Sequence, residues 1–164
     1  MSSSQAESHF RSFLTADGPS AGVVRGAPKA LLRIEGAMAL AAAAGLYAAQ
    51  GGGWALFSIL FLAPDLAMLG YLAGRGRGAA AYNAAHTYVP ALALALAGAA
   101  LSAPLLLRLG LIWIAHIGFD RMLGYGLKYA DGFGHTHLGT VGARPDGRAG
   151  GASARGAGIE EPRS

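Results

Sequence analysis

His116 and Asp120 stand one helical turn apart inside PLLLRLGLIWIAHIGFDRMLGYGLKY, residues 104–129, a run apolar enough to cross a bilayer. An ionisable pair in such a setting is a functional-site hypothesis by default. Three further places in the chain repeat the theme. Asn83 and His86 are three residues apart and so share a helix face, Asp65 follows Pro64 in the middle of an apolar run, and Glu35 interrupts another. Two imidazoles and two carboxylates make a competent ligand set for zinc, iron or manganese. On that reading Asp65, His86, His116 and Asp120 bind one divalent metal that activates water for hydrolysis, and Glu35 is the candidate general base. The same side chains suit two other uses, a hydrogen-bonded network that fixes helix packing and a path for protons or ions. Asp65 is the hardest to read as mere packing, because a carboxylate buried in an apolar helix must be paired or protonated.

Arg121 adjoins this pair, and His135 and His137 follow in a glycine-rich stretch just past the membrane face. If that stretch is extended, the two-residue spacing turns both histidines to one side, as a lid over the cluster. As an interfacial loop it would anchor Tyr125 and Tyr129 among headgroups and bring Lys128 to anionic lipid.

The elements that must position these groups are transmembrane helices. Of 164 residues, 53% are hydrophobic and only 13% charged, and the mean hydropathy is +0.38. That balance is too apolar for an ordinary soluble domain and leaves room for one compact unit. There is no cysteine, which excludes disulfides and thiolate metal sites. The formal charge of +4 is scattered through tails and loops, so nucleic acid is not the expected partner. Four spans are predicted at about 30–49, 54–73, 79–97 and 104–124, separated by the glycine turn at 50–53, the basic GRGRG turn at 74–78 and a small turn around Ser102. Polar, low-complexity tails are expected to be disordered at 1–28 and 143–164, around a membrane domain at 29–142 that ends in an interfacial loop. Arg25, Lys29, Arg33, Arg75, Arg77, Arg121 and Lys128 all flank one side of the spans, which predicts a multi-pass protein of the inner (plasma) membrane with both termini cytoplasmic. Measured along the helices, Glu35, Asp65, Asn83, His86, His116 and Asp120 then fall in the inner half of the bilayer, where a cluster facing the bundle interior is the cheapest way to bury them. Pro90 should leave the His86 carbonyl without its helical partner, and Pro64 should bend the second helix beside Asp65. Ala37, Ala41, Gly45 and Ala49 form a small-residue stripe suited to close helix packing, and helices this rich in small residues also suit a homodimer.

The segments APDLAMLGYLAG, AYNAAHTY, AHIGFDRMLGYGLKY and the later THLG together resemble the bacterial integral membrane proteins of domain-of-unknown-function family 4260, over about 31–142. The resemblance implies a four-helix membrane protein and no assigned activity. A fainter one is to the LexA-regulated membrane-bound metal-dependent hydrolases, which carry a Pro-Asp motif, a histidine at a helix start and a later His-x-x-x-Asp before a glycine. Pro64 with Asp65, His86, and His116 with Asp120 before Gly124 occur here in that order. The chain departs from that pattern at Ala67 and Met68, where the hydrolases have a second Asp and a His, and in its single His86. These resemblances and the polar cluster lead to an expectation of a metal-dependent hydrolase acting on a lipid-like or membrane-proximal substrate. The alternative is a non-catalytic membrane protein whose cluster serves packing or proton passage.

Overall fold

The computed structural model describes residues 22–130 and 134–140. Most of the expected tails lie outside these, and residues 22–25 lead directly into the first helix. Helix α1 is Gly26–Ala49, α2 is Trp54–Phe61, a 3₁₀ segment runs over Ala63–Ala73, and α3 is Arg75–Ala85, α4 Tyr88–Ala100 and α5 Pro104–Leu123. Beyond α5 a small antiparallel hairpin pairs β1, His135–Thr136, with β2, Gly139–Thr140. The all-helical class holds, with that hairpin as an appendix.

The punctuation is set by proline and glycine. Pro104 opens α5 at its first turn, where a missing N–H costs nothing, and Gly124 closes it in the left-handed conformation at φ 95°. Arg33 Nε reaches from α1 to donate to the Met122 carbonyl at 2.8 Å, satisfying one of the orphaned acceptors of that last turn. At the opposite end Arg108 donates to the Gln50 carbonyl at the end of α1.

Helix α5 is the axis of the fold, packed along α1 on one side and α4 on another. Both contacts rest on glycine. At the α1–α5 crossing a Cβ on Gly36 would meet the Gly118 carbonyl at 2.8 Å, and one on Gly118 would meet the Gly36 carbonyl at 2.7 Å. At the α4–α5 crossing Gly110 lies against the Ala95 backbone and Gly98 against Leu107. The buried face of α1 is therefore Gly36, Ala43 and Tyr47. The predicted stripe is a correction, because Ala41 and Gly45 on it are exposed. A core of Ala43, Tyr47, Leu111, Ile112 and Ala115 forms between these helices, flanked by Phe57 and Phe61 of α2.

The second and third predicted spans are not continuous α-helices. From Ala63 the backbone tightens to 3₁₀ for 11 residues, an uncommon length for that geometry. The third span breaks after Ala85, with Thr87 extended at ψ 146°, and restarts as α4 at Tyr88. Pro90 lies in the first turn of the restarted helix, where its lack of an N–H is harmless, so the chain places the break three to four residues before it. Arg75–Gly78, expected as a turn, already form the first turn of α3, and Gly74 alone makes the reversal at φ 107°. The 3₁₀ segment and α3 pack against each other as a hairpin.

Two stretches among the described residues, Gly26–Ala49 and Trp54–Ala73, are long and apolar enough to cross a membrane. The broken α3 and α4 are too short for this individually, with 11 and 13 residues against the roughly 20 that a bilayer core needs. Leu31, Ile34, Met38, Ile59, Leu62, Leu69, Leu72 and Leu96 point outward, giving the molecule an apolar exterior.

Candidate metal centre

The break before α4 is what aims His86. Its N–H at Nδ1 donates to the Tyr82 carbonyl at 2.9 Å, which leaves Nε2 as the free electron pair. Tyr82, one turn earlier on α3, stacks on the imidazole with ring centroids 3.7 Å apart. His116 projects from the middle of α5, walled by the edge of Phe61 at 5.4 Å between ring centroids. Asp120 lies one turn further along α5, and Asp65 comes from the first turn of the 3₁₀ segment. The 3₁₀ backbone around Pro64 and the break at His86 thus present two of the four groups, and the regular α5 presents the other two.

The four side chains converge. One ligand atom from each lies within 4.8 Å of all the others. His86 Nε2 is 3.3 Å from Asp65 Oδ1 and 3.5 Å from Asp120 Oδ2, and His116 Nε2 is 3.6 Å and 3.9 Å from the same two oxygens. The two Nε2 atoms are 3.2 Å apart. Ligands held about 2.0–2.2 Å from one ion stand about 3.0–3.6 Å from each other, and four of these five separations fall in that range, the His116–Asp120 one being longer at 3.9 Å. The group could hold a metal ion. Its members also satisfy one another as ion pairs and hydrogen bonds. Both imidazoles are buried, and His116 Nδ1 has no hydrogen-bond partner among the described residues. The Asp120 side chain is 14% exposed and receives the Tyr82 hydroxyl at 3.3 Å. Asp65, 40% exposed, is the open side of the group.

That open side faces a cavity of about 500 Å³ lined by Asp65, Met68, Tyr82, Phe119, Asp120, Leu123, Tyr125, Lys128 and Thr136. Lys128 Nζ stands 4.2 Å from the centroid of the Tyr82 ring. Burial holds the Lys128 ammonium below its ordinary range, while the Asp120 and Asp65 carboxylates draw it back up.

The remaining predicted residues lie around this group with other partners. Asn83 clamps the segment after α5, donating to the Lys128 carbonyl at 2.9 Å and accepting the Lys128 N–H at 2.7 Å. Arg121 Nη2 donates to the His86 carbonyl at 3.4 Å, the acceptor that Pro90 cannot serve. Arg121 Nη1 lies 2.7 Å from His137 Nε2, and His137 Nδ1 accepts the Leu127 N–H at 2.9 Å. His137 therefore folds back over the bundle, while His135 packs against the Tyr129 ring. Burial first, and then the Arg121 guanidinium, push the His137 imidazole below its ordinary range. Glu35 does not join the four ligands. It lines a separate cavity of about 360 Å³ with Tyr88, Arg121 and His137. Tyr82 and Lys128 were the functional neighbours hardest to find by spacing alone. Tyr82 sits four residues before His86, a helical-face signal, whereas Lys128 arrives only through the fold of the post-α5 segment.

Among families of known proteins, the one described as Domain of unknown function (DUF4260) matches residues 29–141. No curated protein and no solved structure matches the chain.

Proposed function

Since the chain belongs to family DUF4260, whose description assigns no activity, the site has to carry the reading, and we propose that the protein is a membrane-embedded, metal-dependent hydrolase. The observation that carries it is the convergence of Asp65, His86, His116 and Asp120 beside an open cavity. Two neutral imidazoles and two carboxylates suit zinc, manganese or iron(II), and an ion with more than four positions keeps room for water. A bound divalent ion would supply a water of lowered pKa and a Lewis acid for the substrate oxygen. Within the chain, the His86 Nδ1–H bond to the Tyr82 carbonyl fixes the tautomer, the Tyr82 hydroxyl orients Asp120, and the half-open Asp65 is the carboxylate nearest to incoming water. Glu35, first expected as the general base, lines the other cavity instead.

The apolar exterior and the two stretches of spanning length support a bilayer setting. With both termini cytoplasmic by the distribution of Lys and Arg, the cluster lies toward the inner leaflet. A second reading, a proton-sharing network that fixes packing, is favoured by the direct contacts of 3.3 Å to 3.9 Å between the imidazoles and carboxylates.

Elemental analysis of the detergent-purified protein separates the two. The hydrolase reading expects about one equivalent of zinc, manganese or iron, lost in His116→Ala and in Asp120→Ala with helical circular dichroism retained. A folded parent that stays metal-free after supplementation would leave the packing network as the function of the cluster.

A further inference from the structure

We propose that the cavity beside the cluster is a side entrance from the bilayer, and that it takes an acyl chain of a membrane amphiphile with the acyl carbonyl drawn up to Asp65 and Asp120. This rests on the metal reading and the membrane setting above, and it names the substrate class of that site.

The first support is where the cavity lies. The 3₁₀ segment packs on α3, while α5 packs along α1 and α4. The cavity is the crevice left between the 3₁₀ segment and α5, with Asp65 and Met68 on one bank and Phe119, Asp120 and Leu123 on the other. Each bank thus carries one carboxylate of the cluster. At about 500 Å³ the crevice matches small-molecule sites, which are mostly apolar with a few polar groups at fixed places.

The second is the rim. Met68, Leu123 and Tyr125 belong both to the cavity lining and to the exposed surface, and Leu69 and Leu72 carry the apolar surface outward along the 3₁₀ segment. Lining and exterior are continuous, so a hydrocarbon chain can pass from one to the other without meeting water.

The third is depth. Asp120 lies one turn before Gly124, which closes α5, or about 6 Å along the axis. Tyr125, next along the chain, is of the kind that marks headgroup level. The polar group of a membrane amphiphile just below its head is the carbonyl that joins head to chain. With the chain along Met68, Phe119 and Leu123, that carbonyl comes level with the two carboxylates while the head stays near Tyr125. The bond hydrolysed is then the acyl linkage. Water oxygen bonds to the acyl carbon, the bond from that carbon to the head breaks, and the proton given up by water ends on the departing alcohol or amine, leaving a fatty acid.

The test reads binding without turnover. The full-length protein in digitonin, whose rigid tail is unlike an acyl chain, is loaded with Mn(II) and the bound ion is counted by electron paramagnetic resonance. The probe is 2-decanone, a carbonyl on a chain with no bond to hydrolyse, labelled with ¹³C at the carbonyl and at the chain-end methyl. Saturable paramagnetic relaxation is expected, stronger at the carbonyl than at the methyl. Leu123→Trp, which fills the rim from an exposed position, should need about tenfold more ketone at unchanged Mn(II) stoichiometry. Leu96→Trp, exposed on α4, should bind like the parent. Equal binding by Leu123→Trp would overturn the inference. So would stronger relaxation at the methyl, or acetone displacing the ketone at equal concentration. Failure to retain Mn(II), seen before any ketone is added, overturns the metal reading instead and takes this inference with it.

Discussion

Tyr82 ties the residue-scale chemistry together, since it gives its carbonyl to His86, its hydroxyl to Asp120 and its ring to the Lys128 ammonium. Outer partners of this kind orient metal ligands, and their loss commonly costs about 10–100-fold in affinity. Tyr82→Phe removes only the hydroxyl. It should weaken metal binding within that range while leaving one ion per chain at saturation, as read by competition with a chelating dye. On the proposed metal reading, Asp65→Asn should cost more, since it removes one of the two carboxylates of the group. At this scale much was legible in the chain. The pairs at three- and four-residue spacing, and a lone aspartate after a proline, pick out the four groups that meet. Glu35 went astray for a physical reason: depth along a helix fixes how far a side chain lies from the membrane surface but says nothing of the direction in which it leaves the axis. Glu35 lies beside Gly36, and the turn of α1 there carries it toward Tyr88 and Arg121.

Among the elements, α5 is the one whose regularity matters and α3 the one whose interruption matters. At Gly118 any side chain meets main-chain atoms of Gly36 and Leu40 at 2.7 Å, which cannot swing aside as a flexible side chain would. Gly118→Val should therefore destabilise the fold by about 1–3 kcal/mol, as overpacking does, measurable as a lowered midpoint in a thermal-shift assay in detergent. Gly45→Val, with open space around its position, should leave that midpoint nearly unchanged. Proline and glycine positions foretold the ends of α5 and the disturbance near His86. They did not foretell which face of α1 packs, because small residues fill both faces and only the partner helix chooses between them. The segment after α5 adds a pH response. His137 has a depressed affinity for protons in the fold, so between its folded value and the ordinary 6.5 the unfolded chain binds more protons. Stability from this site is thus complete above about pH 6.5 and falls as the pH drops below it. Hydrogen exchange at Leu127 and His137 should be faster at pH 5 than expected from its intrinsic pH dependence, and the excess should vanish in His137→Gln, whose uncharged amide can still accept the Leu127 N–H.

For the molecule as a whole, the lack of cysteine makes the proposed membrane orientation directly testable. Gly53 and Gly76 both have open space for a side chain. Single Gly53→Cys and Gly76→Cys variants in intact cells should react on opposite sides, with Gly53→Cys labelled by an impermeant maleimide from outside and Gly76→Cys only after lysis. Labelling of both from the same side would refute the four-span orientation. An ion that binds only the assembled cluster stabilises the fold by about 2.7 kcal/mol at a hundred times its dissociation constant, so stripping the protein with a chelator should lower its unfolding midpoint in Asp65-containing protein and leave Asp65→Asn largely unaffected. The class of the fold could be read from hydropathy, while the breaks that shape the site depend on how α3 and the 3₁₀ segment settle against each other. The order of the groups along the chain also bears on biogenesis. Asp65 and His86 leave the ribosome well before His116 and Asp120, which stand on α5, the last of the described helices. Until α5 arrives the Asp65 carboxylate has His86 alone as its imidazole partner, and in the proposed bilayer setting that half-built cluster would keep the earlier helices from a settled position, so that the arrival of His116 and Asp120 would act as the latch that ends assembly.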